Sequence, residues 1–154
     1  MRDLQPVGRD DDTKDAMTTA PIAIGDDPRR IREHLLRSCE LATTHGLPSV
    51  VVGVAGHEGD LLAPELISFM QSALRVEDTI FRMTRERAVL FLADVDRAQG
   101  EAIVSRLLAE FARRFPAARA PQVALGFFEV RPGCGMLLVK DVLPAVFAGS
   151  DEAH

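Results

Sequence analysis

The feature that most limits what this chain can fold into is the run at 50–54, Val-Val-Val-Gly-Val, which follows Leu47-Pro48 and lies between two segments of helical period. An alternating pattern would leave one face of a strand in water, whereas an unbroken apolar run calls for cover on both faces. The segment is therefore expected as a central strand with helices on either side. It is far too short to cross a bilayer.

The flanking segments support that reading. Asp27 can cap a helix that has Pro28 in its first turn, and Ile31, Leu35, Cys39 and Ala42 follow at helical spacing until Gly46 stops it, which predicts a helix over 28–45. Gly53, Gly56 and Gly59 read as a loop. A second helix is expected from Pro64 to about Arg75, with Leu66, Ile67, Met70, Ala73 and Leu74 on one stripe. Two β-prone runs, 79–83 and 88–93, flank Thr84-Arg85-Glu86-Arg87 and predict a hairpin with a charged tip. Asp94 or Asp96 then caps a third helix, whose Val104, Leu107, Leu108, Phe111 and Phe115 share a face until Pro116. A strand over 122–130, a turn at Arg131-Pro132-Gly133 and an amphipathic segment over 137–147 complete the order α-β-α-β-β-α-β-α. Hairpins combined with helical crossovers imply an α+β fold, a mixed central sheet covered by helices in the ferredoxin-like or nucleotide-cyclase-like group.

At 154 residues with 47% hydrophobic content, one domain can bury an adequate core without disulfides or metal. That domain is expected over 26–149. The stretch 1–25, with Asp10, Asp11, Asp12 and Asp15 and no apolar period, reads as a disordered acidic N-terminal tail, and 150–154 as a C-terminal tail. A net charge of −5 argues against nonspecific nucleic-acid binding, which needs many cations on phosphates. Cys39 and Cys134 have no metal-type spacing and are too few to staple a secreted fold, and the N-terminus lacks a basic-then-apolar layout. A reducing cytoplasm without membrane insertion is the expected setting. All the cations except Lys14 and Lys140 are arginine, and Arg75, Arg82, Arg85 and Arg87 fall within thirteen residues.

The common catalytic motifs are missing. The loop from Gly53 to Gly59 has neither dinucleotide-fingerprint spacing nor a following Lys-Ser or Lys-Thr. His34, His45, His57 and His154 are scattered, with no nucleophile at catalytic spacing. Asp94 and Asp96 are better read as caps than as metal ligands. No catalytic residue, metal or cofactor is assigned.

From the first helix to Phe147 the order and spacing resemble a GGDEF domain, the diguanylate cyclase fold that makes cyclic di-GMP from two GTP molecules. The segment Arg82-Met83-Thr84-Arg85-Glu86-Arg87-Ala88 falls on the family's Arg-x-Gly-Gly-Asp-Glu-Phe signature. Val123-Ala124-Leu125-Gly126 looks like its Ser-Ile-Gly strand, and 138–147 like its closing helix. The resemblance implies a degenerate member. Thr84 and Arg85 put side chains where the family's glycines let the backbone approach a triphosphate, and Arg87 reverses the charge of a family acid. Gly53-Val54-Ala55 replaces an Asp-x-Asp metal motif. The first crossover is shortened by about ten family residues, counted from the spacing.

The family's product-binding motif, Arg-x-x-Asp five residues before the signature, is matched by Arg75-Val76-Glu77-Asp78, and its third Arg falls on Arg106. These residue types suit the ligand. A guanidinium donates two parallel hydrogen bonds to guanine O6 and N7, and a carboxylate accepts from guanine N–H groups. The expectation is a catalytically inactive cyclic di-GMP receptor that uses Arg75, Asp78, Arg106 and Arg82 and signals to a protein partner in a bacterial cytoplasm, with a ligand-promoted homodimer implied by the family. The alternative is an interaction scaffold on the same fold that binds no nucleotide. The tip residues Thr84, Arg85, Glu86, Arg87 and Ala88 form the degenerate signature in either case.

Overall fold

The computed structural model describes residues 26–116 and 122–149. The expected tails at 1–25 and 150–154 lie outside the described residues. The element order is α1 (Pro28–His45), β1 (Ser49–Gly56), α2 (Leu62–Ala73), β2 (Thr79–Arg82), β3 (Arg87–Ala93), α3 (Arg97–Arg114), β4 (Val123–Val130) and α4 (Val139–Val146). This is the α-β-α-β-β-α-β-α order expected from sequence.

The helix ends follow local chemistry. The Asp27 side chain accepts from the Arg29 N–H at 3.0 Å, Pro28 opens α1, and Gly46 closes it at φ 65°. Asp96 rather than Asp94 caps α3. Its carboxylate accepts from the Gln99 N–H while the Gln99 side chain accepts from the Asp96 N–H, a reciprocal capping box. Asp94 instead ends β3 in the left-handed region at φ 56°.

The sheet order is β2-β3-β1-β4, and every neighbouring pair is antiparallel. The α+β cyclase-like architecture stands, but the sheet is not mixed. Each helical crossover joins strands two places apart: α2 carries β1 to β2 with β3 between them, and α3 carries β3 to β4 with β1 between them. Strands joined by a crossover run parallel, yet each slot between them is filled by a strand of opposite direction, which gives the split βαβ arrangement.

β1 is central and buried along its length up to Gly56. Its side chains alternate between two cores. Val50, Val52 and Val54 join Leu66, Met70, Leu90, Val104, Leu107 and Phe111 beneath α2 and α3. Val51 and Ala55 join Leu35, Cys39, Phe91, Val130, Val142 and Val146 beneath α1 and α4.

Gly53, expected in a loop, is a mid-strand residue. It pairs in register with Gly126 of β4, and the C-terminal end of α4 rests on both. A Cβ on Gly53 would lie 2.5 Å from the Val146 carbonyl oxygen, and one on Gly126 would lie 2.1 Å from it. A backbone carbonyl cannot swing aside as a flexible side chain can, so this pair fixes how closely α4 approaches. Gly126→Ala is expected to lift α4 and cost about 3 kcal/mol, at the upper end of overpacking penalties. Urea unfolding measures this, and Gly133→Ala, which meets nothing within 4 Å, provides the control.

Candidate functional site

Three surface features hold the residues singled out in the sequence: the turn from α2 into β2, the groove between α2 and α3, and the β2–β3 tip.

In the turn, Arg75 and Asp78 meet. Arg75 Nε donates to Asp78 Oδ2 at 2.7 Å and Arg75 Nη2 to Asp78 Oδ1 at 2.7 Å, a two-pronged ion pair. The end of β3 ties into the same knot, with Nη2 also donating to the Ala93 carbonyl at 2.9 Å and the Ala93 N–H donating to Asp78 Oδ1 at 3.0 Å. Nη1 lies 3.4 Å from Glu77. The hydrogen bonds that Arg75 donates to Asp78 raise the pKa of its guanidinium, against an opposing effect of burial. The Arg75 side chain keeps 37% of its exposure and Asp78 keeps none. Asp78 is therefore not an open carboxylate offered to a ligand edge, as the motif suggested. At a helix end the i, i+3 spacing brings the pair into mutual reach, and both carboxylate oxygens are engaged inside the protein.

Arg106 lies elsewhere. It lines a polar groove of about 380 Å³ between α2 and α3 with Phe69, Ser72, Ala73, Glu110 and Arg114. Arg106 has no ion-pair or hydrogen-bond partner among the described residues, Glu110 is paired with Arg113, and Arg114 lies over the Phe69 ring. The groove wall reaches Ala73, two residues before Arg75. Arg82 does not join Arg75: its Nη2 donates to Ser68 Oγ at 2.8 Å and Gln71 Oε1 at 3.3 Å, which binds β2 to α2. Asp26 adds a backbone clamp, accepting from the Arg82 N–H at 2.7 Å.

At the tip, Glu86 acts as a buckle. Its carboxylate accepts from the Gly59 N–H at 3.2 Å and its carbonyl from the Gly56 N–H at 2.8 Å, which ties the hairpin to the loop 57–61 between β1 and α2. Thr84 Oγ1 accepts from the Glu86 N–H, and the Arg87 guanidinium lies 5.2 Å from the Phe147 ring centre. Thr84 and Arg85 are exposed, while Ala88 is buried in β3. Among the described residues no group of three or more His, Cys, Asp or Glu side chains is placed to hold a metal ion. No helix among them is long and apolar enough to span a membrane.

Sequence reasoning did not find the roles of Ala93, Ser68 and Gln71. Ala93 acts through its backbone, which leaves no compositional signal, and the other two are ordinary polar residues on a helix surface.

No family profile and no curated relative matches the chain by sequence. Solved structures do match it. The GGDEF domain of FimX from Pseudomonas aeruginosa aligns at 14% identity and TM-score 0.59, over 79% of this chain and 86% of that one. The GGDEF domain of DgcB from Caulobacter crescentus, in complex with c-di-GMP, aligns at 14% identity and TM-score 0.60, over 82% of this chain and 85% of that one. The diguanylate cyclase SiaD from P. aeruginosa, in complex with its activator SiaC, aligns at 20% identity and TM-score 0.62, over 93% of this chain but only 64% of SiaD. The likeness is one of fold: this chain has a GGDEF-like fold.

The ion pair predicts an asymmetry. Arg75→Ala leaves a fully buried carboxylate without its countercharge and is expected to cost about 3 kcal/mol, the lower end of values for broken buried pairs. Asp78→Ala leaves a guanidinium that water can still reach, so about 2 kcal/mol is expected after allowing for that screening. Denaturant melts of the two variants should rank in that order.

Proposed function

We propose that this is a non-catalytic GGDEF-like domain that receives cyclic di-GMP through Arg75 and Arg106 and relays its binding to a protein partner. The reading rests on an unpartnered Arg106 in a polar groove whose wall reaches Ala73, and on a partly exposed Arg75 two residues further along the chain. In this reading Asp78 positions Arg75, and Arg106 with Arg114 faces the ligand's phosphates or bases. Guanidinium groups suit both, through forked hydrogen bonds to phosphate or guanine and through stacking. The DgcB complex shows that a protein of this fold takes the same ligand, and the SiaD complex shows that one takes a protein partner.

Loss of turnover follows from the tip. Glu86 bonds the Gly59 backbone, Arg87 puts a cation where the family signature has an acid, and β1 carries glycine and alanine where the family's metal motif would be. A hard divalent cation needs several oxygen ligands, and a triphosphate needs close backbone approach.

A second reading, an interaction scaffold that binds no nucleotide, is favoured by the complete burial of Asp78. Isothermal titration calorimetry separates the two. The receptor gives saturable cyclic di-GMP binding at micromolar concentration that weakens at least about tenfold in Arg106→Ala, from loss of one charged hydrogen-bonding group. A flat titration with folded protein establishes the scaffold. Incubation with GTP and Mg²⁺ or Mn²⁺ is expected to yield no dinucleotide, as read by chromatography.

A further inference from the structure

α3 carries six charged side chains, and four of them neutralise one another. Arg97 Nε donates to Glu101 at 2.9 Å, and Arg113 is paired with Glu110. The two left over, Arg106 and Arg114, both line the groove between α2 and α3. Neither has a carboxylate partner among the described residues, and Arg114 has only the Phe69 ring, 5.6 Å away. The one charged residue of α2, Glu65, lies a turn beyond Phe69 and pairs with neither. The groove thus holds two uncompensated guanidinium groups.

The chain has acids of its own to meet them. Residues 10–15 read Asp-Asp-Asp-Thr-Lys-Asp, four carboxylates against one ammonium. With no apolar period the segment has no core to join, so charge decides where it rests. Its point of departure is fixed at Asp26, whose N–H donates to the Arg82 carbonyl at 2.7 Å. The Arg82 side chain is in turn held by Ser68 and Gln71 of α2, while Phe69, Ser72 and Ala73 of the same helix line the groove. Eleven residues from Asp15 to Asp26 reach up to about 36 Å, and the helix to be crossed is about 10–12 Å thick.

We propose that residues 10–15 pass over α2 and lie in the α2–α3 groove, with Asp11 and Asp15 on the two arginines. The spacings match. Eight helical residues set Arg106 and Arg114 about 12 Å apart along the axis, and four extended residues set Asp11 and Asp15 up to about 13 Å apart. Carboxylate–guanidinium pairs are forked and directional, though weak when exposed to water. Attachment to the same chain offsets that weakness, because it holds the segment at an effective concentration on the order of millimolar. The contact therefore forms without tight binding and gives way to a better anion. One consequence rests on the receptor reading above: the segment and cyclic di-GMP exclude each other from Arg106.

Two-dimensional NMR of the full chain, recording backbone amides and arginine Nε–H groups, tests the contact itself. The quadruple variant Asp10→Asn, Asp11→Asn, Asp12→Asn, Asp15→Asn should shift the Arg106 and Arg114 signals. It should leave Arg37 unmoved, an exposed arginine of α1 that also lacks a partner among the described residues. Arg106→Gln should in turn shift the amides of residues 10–15. Raising NaCl from about 50 to about 500 mM should carry the parent's groove signals toward those of the variant, since salt screens exposed pairs. None of these shifts should depend on protein concentration. Groove signals that are identical in parent and variant overturn the proposal, and so do equal shifts at Arg37, which would report a general change of field. Dependence on concentration overturns it too, because the segment in the groove would then belong to another copy. No nucleotide is present, so failure of this contact and failure of the receptor reading are separate results.

Discussion

Everything in this fold is referred to β1. It is paired on both edges, by β3 and by β4, and covered on both faces, so it has neither a free backbone edge nor a wet side. Each buried valine on it contributes on the order of 2 kcal/mol relative to exposure, and the alternation of its side chains decides which helices share a core. A one-residue slip would exchange the two sets and put Val50 and Val52 under α1. The Gly53–Gly126 pair adds a local constraint, because only a bare backbone lets the end of α4 sit on the sheet.

That rigid centre also positions the β2–β3 tip. The hairpin's position is set by β3 against β1, by Arg82 on α2, and by Glu86 bonded to the N–H of Gly56 at the end of β1 and of Gly59 in the β1–α2 connection. Carboxylates and glycines are also what a phosphate and metal site would use. Here the carboxylate and the backbone donors satisfy each other, and the connection is only five residues long, 57–61. A loop this short, with the Gly59 N–H bonded to Glu86 and the Asp60 N–H to the His57 carbonyl, offers little to an incoming anion.

Much of the architecture was legible because it rests on periodicity and punctuation. Asp27, Pro28 and Gly46 marked α1, and the β-branched run at 50–54 marked the central strand. The all-antiparallel sheet was not legible, since element order does not say which strand fills the slot between two crossover-linked strands. Gly53 was misplaced for a related reason: a glycine in a strand reads as a break until the helix that needs its bareness is known. The candidate site was legible in spacing and not in conformation. The sequence put Arg75 and Asp78 within reach of each other, but a carboxylate that can receive a guanine can equally receive the neighbouring guanidinium and the Ala93 N–H. Arg82 shows the same limit, because Ser68 and Gln71 compete for it from the preceding helix, α2.

The internal pair also sets terms for any ligand of that surface. A guanine that required Asp78 would have to displace two charge-assisted bonds and one backbone N–H, and its apparent affinity would fall by the fraction of molecules in which the pair is open. A ligand that takes Asp78 as it stands avoids that loss: the closed pair holds the Arg75 fork in a fixed orientation and leaves part of the guanidinium exposed, so little side-chain entropy remains to be given up on binding. Arg106 is in the opposite condition, exposed and without a partner among the described residues, so it brings full charge but must be ordered. In the proposed receptor a ligand would have to engage one pre-ordered cation and one free cation. A ligand with rigidity of its own, such as a cyclic dinucleotide, would meet that demand better than a flexible anion that would have to be ordered along with Arg106.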